Sequence, residues 1–576
     1  MTHSPEPAQA GERKSWKLLG LTFVLWAGTI CLLGPNLLAI LSEKESVFQL
    51  VMLSAFAALL VLFWLLGAYF ISVTLVHCLS RTETKGRFRK DTLARSTTGQ
   101  PPVAILYPTC DDFQREAVLT CLAQDYPEFR VFILDDSRDP SIKQSIDAFR
   151  AEFASKVVVI RRPDRRGFKA GNLNFAVRGP ASDFPIFAVM DADERIPVDF
   201  LSKLVPRLEG NDYAFVQASH APNPEQRGAF AAVLGQSILP FWSVLLPAKN
   251  RFGFVPCVGH GVLVRRTAWD GVGGFPEVAS EDLAFSAALL EKGLRGCYAA
   301  DVVCLEDFPS GMPALRKQQE RYVAGVFQSL LRYWPKLLFT SKASWVEKCD
   351  FALGCLPIYI PVLCFLFIML TGVGIPLATG GWQAFLYTIQ DIPHVPLARS
   401  LETILQPLWE TKFAVLSTFV SLSPCFLLLT LGAQGMTKSP WRTLALSNLA
   451  YISTMTTSCF ALVKYAVRLP IPFEPTGKHA TLDGPVALRR ERVLAQTIME
   501  LAPMMILVTV HLTMLNVGFA TVAATPILGR LCARHMMCFE SIAILMFALV
   551  LGQTATDLIL GFRHLSFAAC VIPVQF

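Results

Sequence analysis

Charge is scarce in this chain. Only 17% of its 576 residues are Asp, Glu, Lys or Arg, against 53% that are hydrophobic, which excludes an ordinary soluble protein of this size. Its fifteen cysteines include no Cys-x-x-Cys pair. They are scattered, with Cys31, Cys78, Cys355, Cys364, Cys425 and Cys459 inside apolar stretches, so buried small hydrophobes are expected rather than a zinc site or a disulfide framework. A polar tail of about fifteen residues leads into an apolar run that lacks a small-residue cleavage site, so a retained membrane helix is expected rather than a removed signal peptide. The formal charge of +7 collects beside apolar segments, as the positive-inside bias requires, which argues against nucleic acid as a partner.

Long apolar runs are what the chain has in place of charge. Six are long enough to cross a bilayer, at 18–41, 48–77, 351–378, 412–433, 498–522 and 538–561. Arg81, Lys85, Arg87, Arg89 and Lys90 follow the second run and mark that side cytoplasmic, together with Arg13, Lys14 and Lys17 before the first. Residues 379–411 carry Asp391, Glu402 and Glu410 against Arg399 and are expected outside, with Lys438 and Arg442 returning the chain. Residues 443–465 are apolar but rich in hydroxyls, and a span there would place Lys478, Arg489, Arg490 and Arg492 outside. An amphipathic helix lying on the cytoplasmic interface is expected instead. The chain thus divides into a tail with two spans (1–80), a cytosolic domain (100–340) and a region of four spans with the interfacial helix (341–576).

The middle of the chain alternates strand and helix. Val103–Tyr107, Val131–Leu134, Val157–Ile160 and Phe187–Met190 read as strands, with a helix over Glu116–Gln124. Such alternation predicts an α/β domain with an open, mainly parallel sheet, whose ligands bind at the carboxyl ends of the strands. Asp135 and Asp136, then Asp191 and Asp193, fall at two of those ends. The Asp-x-Asp spacing turns two carboxylates the same way from an extended segment, and paired hard oxygen ligands suit a divalent cation. Further on come Arg166-Gly167-Phe168-Lys169-Ala170-Gly171-Asn172, Ser280-Glu281-Asp282 and Gln318-Gln319-Glu320-Arg321-Tyr322. Helical spacing puts Gln318 and Arg321 on one face.

In this order, between long apolar segments, these signatures resemble the family 2 glycosyltransferases of the cellulose synthase, hyaluronan synthase and glucan synthase type. The resemblance implies a GT-A-type catalytic domain with a mixed, mainly parallel sheet, inserted between transmembrane helices of the plasma (inner) membrane. It implies that Asp193, with Asp191, holds Mg2+ or Mn2+, and that Asp112, Asp135, Asp136, Lys169, Asp191 and Arg321 bind a UDP-sugar. Asp282 is then the general base that takes the proton of the attacking hydroxyl, and Glu281, Gln318, Tyr322 and His260 meet the acceptor. Tyr322 stands where the family carries Trp, and Pro256-Cys257-Val258-Gly259-His260 departs from the Phe-Phe-Cys-Gly-Ser of cellulose synthases. Pro472-Phe473-Glu474-Pro475-Thr476-Gly477-Lys478-His479 resembles a gating loop (470–480), in which Lys478 reaches the diphosphate.

The activity so implied is processive, inverting polymerisation of a β-linked polysaccharide, a glucan made from UDP-glucose, with export across the membrane. Accessory export or regulatory proteins would be its partners, and the growing polysaccharide and membrane lipid its further contacts. About fifteen residues follow the last apolar run, so no cyclic-dinucleotide-sensing PilZ domain is expected there. Tyr359, Thr371, Ser417, Ser421, Ser423, Thr509, His511 and Thr513 are candidates to line the polymer's path, or else they pack helix on helix. The alternative activity is a non-processive membrane glycosyltransferase that adds one sugar to a lipid acceptor.

Overall fold

A computed structural model of the chain describes residues 16–42, 46–91, 100–375, 411–421 and 439–469, with a few isolated positions between them. The gating-like segment 470–480, Lys478 within it, the loop 379–411 and the apolar runs at 498–522 and 538–561 lie outside the described residues.

Seven strands form one sheet: β1 (Val103–Thr109), β2 (Phe129–Asp135), β3 (Val157–Ile160), β4 (Ile186–Val189), β5 (Phe215–Pro222), β6 (Val262–Arg265) and β7 (Gly296–Glu306). Their spatial order is β3-β2-β1-β4-β6-β5-β7. Only β6 runs against its neighbours, so the sheet is mixed and mainly parallel, as the alternating pattern predicts. Successive residues of a strand face opposite sides. Accordingly Val103, Ile105 and Tyr107 enter one core with Val118 and Phe149, while Ala104 and Leu106 enter the other with Leu173 and Phe285.

Helices cover both faces. In the first half of the chain the helices are α1 (Lys17–Ser42), α2 (Val47–Asp91), α3 (Arg115–Leu122), α4 (Pro140–Glu152), α5 (Phe168–Arg178) and α6 (Phe200–Glu209), of which α3, α4, α5 and α6 pack on the sheet. Beyond β5 come α7 (Ala229–Pro240), α8 (Leu246–Phe252), α9 (Arg266–Gly271), α10 (Glu281–Glu291), α11 (Met312–Phe339), α12 (Trp345–Cys355) and α13 (Ile360–Met369). The remaining described helices are α14 (Thr411–Ser421), α15 (Pro440–Ile452) and α16 (Met455–Ala466).

Among the described residues five helical stretches are long and apolar enough to cross a membrane: Lys17–Ser42, Val47–Leu79, Ala229–Phe252, Trp345–Met369 and Pro440–Ala466. The third was not among the expected runs, because it lies inside the globular middle. It comprises α7, a π-turn at Phe241–Leu245 and α8, and it is apolar because both its sides are covered. Trp242 and Leu246 pack under the sheet, whereas Val244, Leu245, Ala248 and Phe252 pack on Tyr69, Phe70 and Val73 of α2. A buried ion pair closes this seam. Lys249 Nζ lies 2.9 Å from Asp350 Oδ2, and Tyr69 donates its hydroxyl to Asp350 Oδ1 at 2.9 Å.

The segment expected as one interfacial helix over 443–465 is two helices, α15 and α16, broken at Ser453–Thr454. Its hydroxyls turn inward: Ser447, Ser453, Thr454, Thr456, Thr457 and Ser458 are all buried, and Thr443 donates to Gln236 of α7 at 2.7 Å. The hydroxyls considered for a polymer path act in packing where they are described. Trp64 donates to Ser417 at 3.1 Å, Ser423 to the carbonyl of Gly67 at 2.9 Å, and Thr371 to Phe367 within its own helix at 2.7 Å. Ser421 is buried with no hydrogen-bond partner; Thr509, His511 and Thr513 lie outside the described residues.

Candidate active site

The carboxyl ends of β1, β2 and β4 open into a cavity of about 940 Å³. It gathers Asp112, Asp136, Lys169, Asp191, Asp193 and His260 with Glu281, Asp282, Gln318, Arg321 and Tyr322. Every expected site residue in the described part reaches this cavity except Asp135. Its side chain is fully buried, accepts from the Ser137 amide at 2.8 Å and pairs with Arg161 at 2.6 Å. In an extended segment only one of two neighbours can face the cavity, and that one is Asp136.

On the β1–β3 side, Asp112 accepts from Thr109 Oγ1 at 2.8 Å and from the Cys110 amide at 2.7 Å. Burial, reinforced by Asp191, raises its carboxyl above the usual range despite those bonds. Asp136 is held by both arms of Arg162, at 2.9 and 2.6 Å. The same guanidinium donates to the carbonyls of Arg166 and Phe168, so the basic-Gly segment and the β2 end move as one piece. Gly167 is required there: its φ is +72°, and a Cβ would meet Glu277 at 2.6 Å.

In the centre, Lys169 Nζ donates to Asp191 Oδ1 at 2.5 Å and to the Gly259 carbonyl at 3.0 Å. Burial opposes ionisation of Asp191, but Lys169 and His260 outweigh it and lower its pKa. At Asp193 the His260 cation is outweighed. Burial, then Asp191, Glu306 and Asp307, push its carboxyl up to about 8. This concentration of hard carboxylate oxygens with too little positive charge fits Mg2+ or Mn2+. Glu194, His220 and Cys304 also converge, within 4.8 Å of one another, but they suit such a cation less well. The His220 ring nitrogen is taken by Glu194 at 2.8 Å, and burial holds the Cys304 thiol well above its usual pKa, so it stays protonated.

Glu194 serves instead as a brace. It accepts from the Asp191 amide at 3.1 Å and the Gly261 amide at 3.0 Å and lies 2.8 Å from His220 Nε2, which also lies 2.8 Å from His260 Nδ1. Burial would lower the pKa of His260, but Glu194, Asp191 and Glu306 push it up to about 10, so the ring is an imidazolium at neutral pH.

On the far side, α10 begins at Glu281 and Asp282 caps it locally, accepting from the Leu283 amide at 2.8 Å. Burial raises Asp282 above the usual carboxylate range. It pushes Glu281 up to about 7, with Lys169 opposing and Asp282 adding to the rise. Gly325 lets α11 approach this turn, since a Cβ there would stand 2.3 Å from Ser280 Oγ. The contact sets Gln318, Arg321 and Tyr322 over the cavity. Gln318 donates to the Tyr322 hydroxyl at 3.3 Å, the Tyr322 ring keeps 37% of its surface exposed, and Glu320 pairs with Lys464 of α16 at 2.6 Å.

Residues 186–463 match the profile described as glycosyl transferase family group 2. The chain carries a family 2 glycosyltransferase domain. The matched part begins at β4 and contains the Asp191–Asp193, Ser280–Asp282 and Gln318–Tyr322 segments. Among similar proteins, a β-monoglucosyldiacylglycerol synthase of Synechocystis is 28% identical over 44% of this chain and 54% of its own. A glucomannan 4-β-mannosyltransferase of Arabidopsis thaliana is 29% identical over 44% of this chain and 50% of its own. The chain thus spans about half the length of the curated relatives it matches. A solved mannosyltransferase of Pyrobaculum calidifontis is 19% identical over 70% of this chain and 99% of its own, with a TM-score of 0.40.

Several cavity residues of this glycosyltransferase domain escape a reading of the sequence. Glu306 and Asp307 close β7 with the same strand-end acidic signal as Asp135–Asp136, which could have found them. Glu194, and His220 buried behind it, carry no local signal, because the contacts that join them to each other, to Gly261 and to His260 span 26 residues or more.

Proposed function

We propose that this protein is a cation-dependent inverting hexosyltransferase that extends a β-linked polysaccharide, a glucan, from a UDP-sugar and exports it. The observation that carries this reading is the meeting of Asp282 with the Lys169–Asp191–Asp193 centre and with Arg321–Tyr322 in one cavity. Asp136 and Asp112 hold the nucleoside; Lys169 and Arg321, both cationic, hold the two phosphates. Asp191 and Asp193 would hold Mg2+ or Mn2+, which would supply the positive charge that a departing diphosphate needs. An acceptor hydroxyl lying on Tyr322 loses its proton to Asp282 as its oxygen bonds to the anomeric carbon. The bond from that carbon to the diphosphate oxygen breaks, and UDP leaves. The catalytic domain faces the cytosol, on the side of the basic residues in the last turns of α2.

The second reading is transfer of one sugar to a membrane lipid. It draws on the apolar wall of the same cavity, built by Phe70 of α2 with Leu234, Ile238, Phe241 and Leu245, and on the similarity to a lipid glucosyltransferase. Radiolabelled UDP-glucose supplied to purified membranes separates the two. Long, water-partitioning, glycosidase-sensitive product supports the polymerase, and a chloroform-soluble single-sugar product overturns it in favour of the lipid transferase. No product from UDP-glucose, UDP-N-acetylglucosamine or GDP-mannose would refute both.

A further inference from the structure

Among the described residues three non-glycine positions hold positive φ: Asp111 at 63°, Phe168 at 50° and Arg468 at 58°. Two of them, Asp111 and Phe168, line the cavity, both on its β1–β3 side. Such conformations disfavour L side chains and collect at functional sites. Asp111 has a local reason for its geometry, since its carboxylate accepts from the Arg138 amide at 2.7 Å and the Asp139 amide at 2.8 Å. Phe168 has no polar group to make such bonds. Its backbone is fixed from outside by Arg162, which donates to the Phe168 carbonyl at 3.0 Å while gripping Asp136. The ring stays 53% exposed at the cavity rim. A large aromatic side chain is therefore held in a disfavoured backbone region, half out of a core that could have buried it. Both features cost stability.

The neighbours say what the ring faces. Lys169, the next residue, reaches the Asp191 centre where phosphates are expected. Asp136, tied to Phe168 through one guanidinium, and Arg138 and Arg165 line the same end of the cavity. A planar apolar surface beside hydrogen-bonding carboxylates and one residue from a phosphate-facing lysine matches the parts of a nucleoside diphosphate in their order. We infer that Phe168 is the stacking platform for the donor's nucleobase, which makes it a determinant of nucleoside binding. The inference rests on the nucleotide-sugar reading of the site.

The test compares binding of UDP, GDP and inorganic diphosphate to the detergent-purified full chain, as wild type, Phe168→Asn and Phe168→Tyr. Asn tolerates the left-handed backbone and so keeps the loop, but removes the ring; Tyr keeps a ring. Stacking on an aromatic changes affinity by roughly 5- to 150-fold. Phe168→Asn is therefore expected to weaken UDP by that factor, to leave diphosphate within about twofold, and to keep or raise the melting temperature, with Phe168→Tyr within about twofold of wild type for both ligands. Unchanged UDP affinity in Phe168→Asn overturns the platform. So does a parallel loss of diphosphate, which would mean that the residue only shapes the Lys169 loop. Wild-type protein that binds diphosphate but neither UDP nor GDP would overturn the donor reading itself, and the platform with it.

Discussion

Asp193 offers the sharpest test of the metal assignment, and the test needs no turnover. Its carboxyl titrates near 8 in the fold and near 4 in an unfolded chain. Between those values the folded protein binds more protons than the unfolded one, so cation-free stability must fall as pH rises through the window and level off above it. A full expression of the difference would destabilise the fold by up to about 5 kcal/mol. Asp193 is half-buried on the wall of the cavity, and screening there reduces the expected loss to about 2 kcal/mol. In a domain of this size that corresponds to a fall of about 4–8 °C in melting temperature between pH 5 and pH 8 in chelator. Mn2+ at pH 8 should restore it, because the ion binds the folded carboxylates and not the unfolded chain. Asp193→Asn should show a shallower fall in chelator, keeping only the slope from Glu281 and His260, whose folded pKa values of about 7 and about 10 also lie above their unfolded ones; it should melt above wild type at pH 8 and respond weakly to Mn2+. Melting curves followed by intrinsic fluorescence in detergent would decide. An Asp193→Asn protein that melts below wild type in chelator at pH 8, yet gains as much from Mn2+, would refute the reasoning.

Three further outcomes are expected. Asp282→Asn should bind UDP with wild-type affinity but lose turnover by about 10²–10⁴-fold, and the wild-type rate should rise with pH through an inflection above the usual carboxylate range, since the base must be ionised; a weakened UDP titration would place Asp282 with the donor instead. Glu194→Gln keeps the side chain's size but loses the charge that His220 and two amides share, so catalytic efficiency should fall about 10- to 100-fold, and steady-state kinetics at wild-type rates would remove the brace from the argument. Asp350→Ala strands Lys249 in the interior and should destabilise by about 3–5 kcal/mol, while Lys249→Met combined with Asp350→Leu should melt closer to wild type than the single change.

Much of the cavity's lining was legible because its residues sit at strand and helix ends, where short motifs reach the cavity without help from distant residues. Asp191, Asp193, Lys169, Asp282, Arg321 and Tyr322 are of that kind, and so is the mainly parallel sheet. Asp135 misled because adjacency in sequence is opposition in an extended chain: its carboxylate turns to Arg161 and away from the cavity. The hydroxyls of 443–465 misled for a related reason. Polarity in an apolar helix reads as a wet face, yet these groups are buried and several bond within or between helices. The Glu194–His220–His260 chain was invisible, since it exists only when β4, β5 and the loop before β6 are side by side.

The stretch from Ala229 to Phe252 has one more consequence. With Trp242 on the sheet and Val244 and Phe252 on α2, this segment belongs to the catalytic core and to the helices beside it at once. Cutting the chain on either side of residues 100–340 would not release a water-soluble enzyme, because it would lay open a strip of side chains that α1, α2 and α12 now cover. It would also leave Lys249 inside without Asp350. The two regions of the chain are therefore one folding unit, and a tilt of α2 is felt at Phe70, on the wall of the reaction cavity.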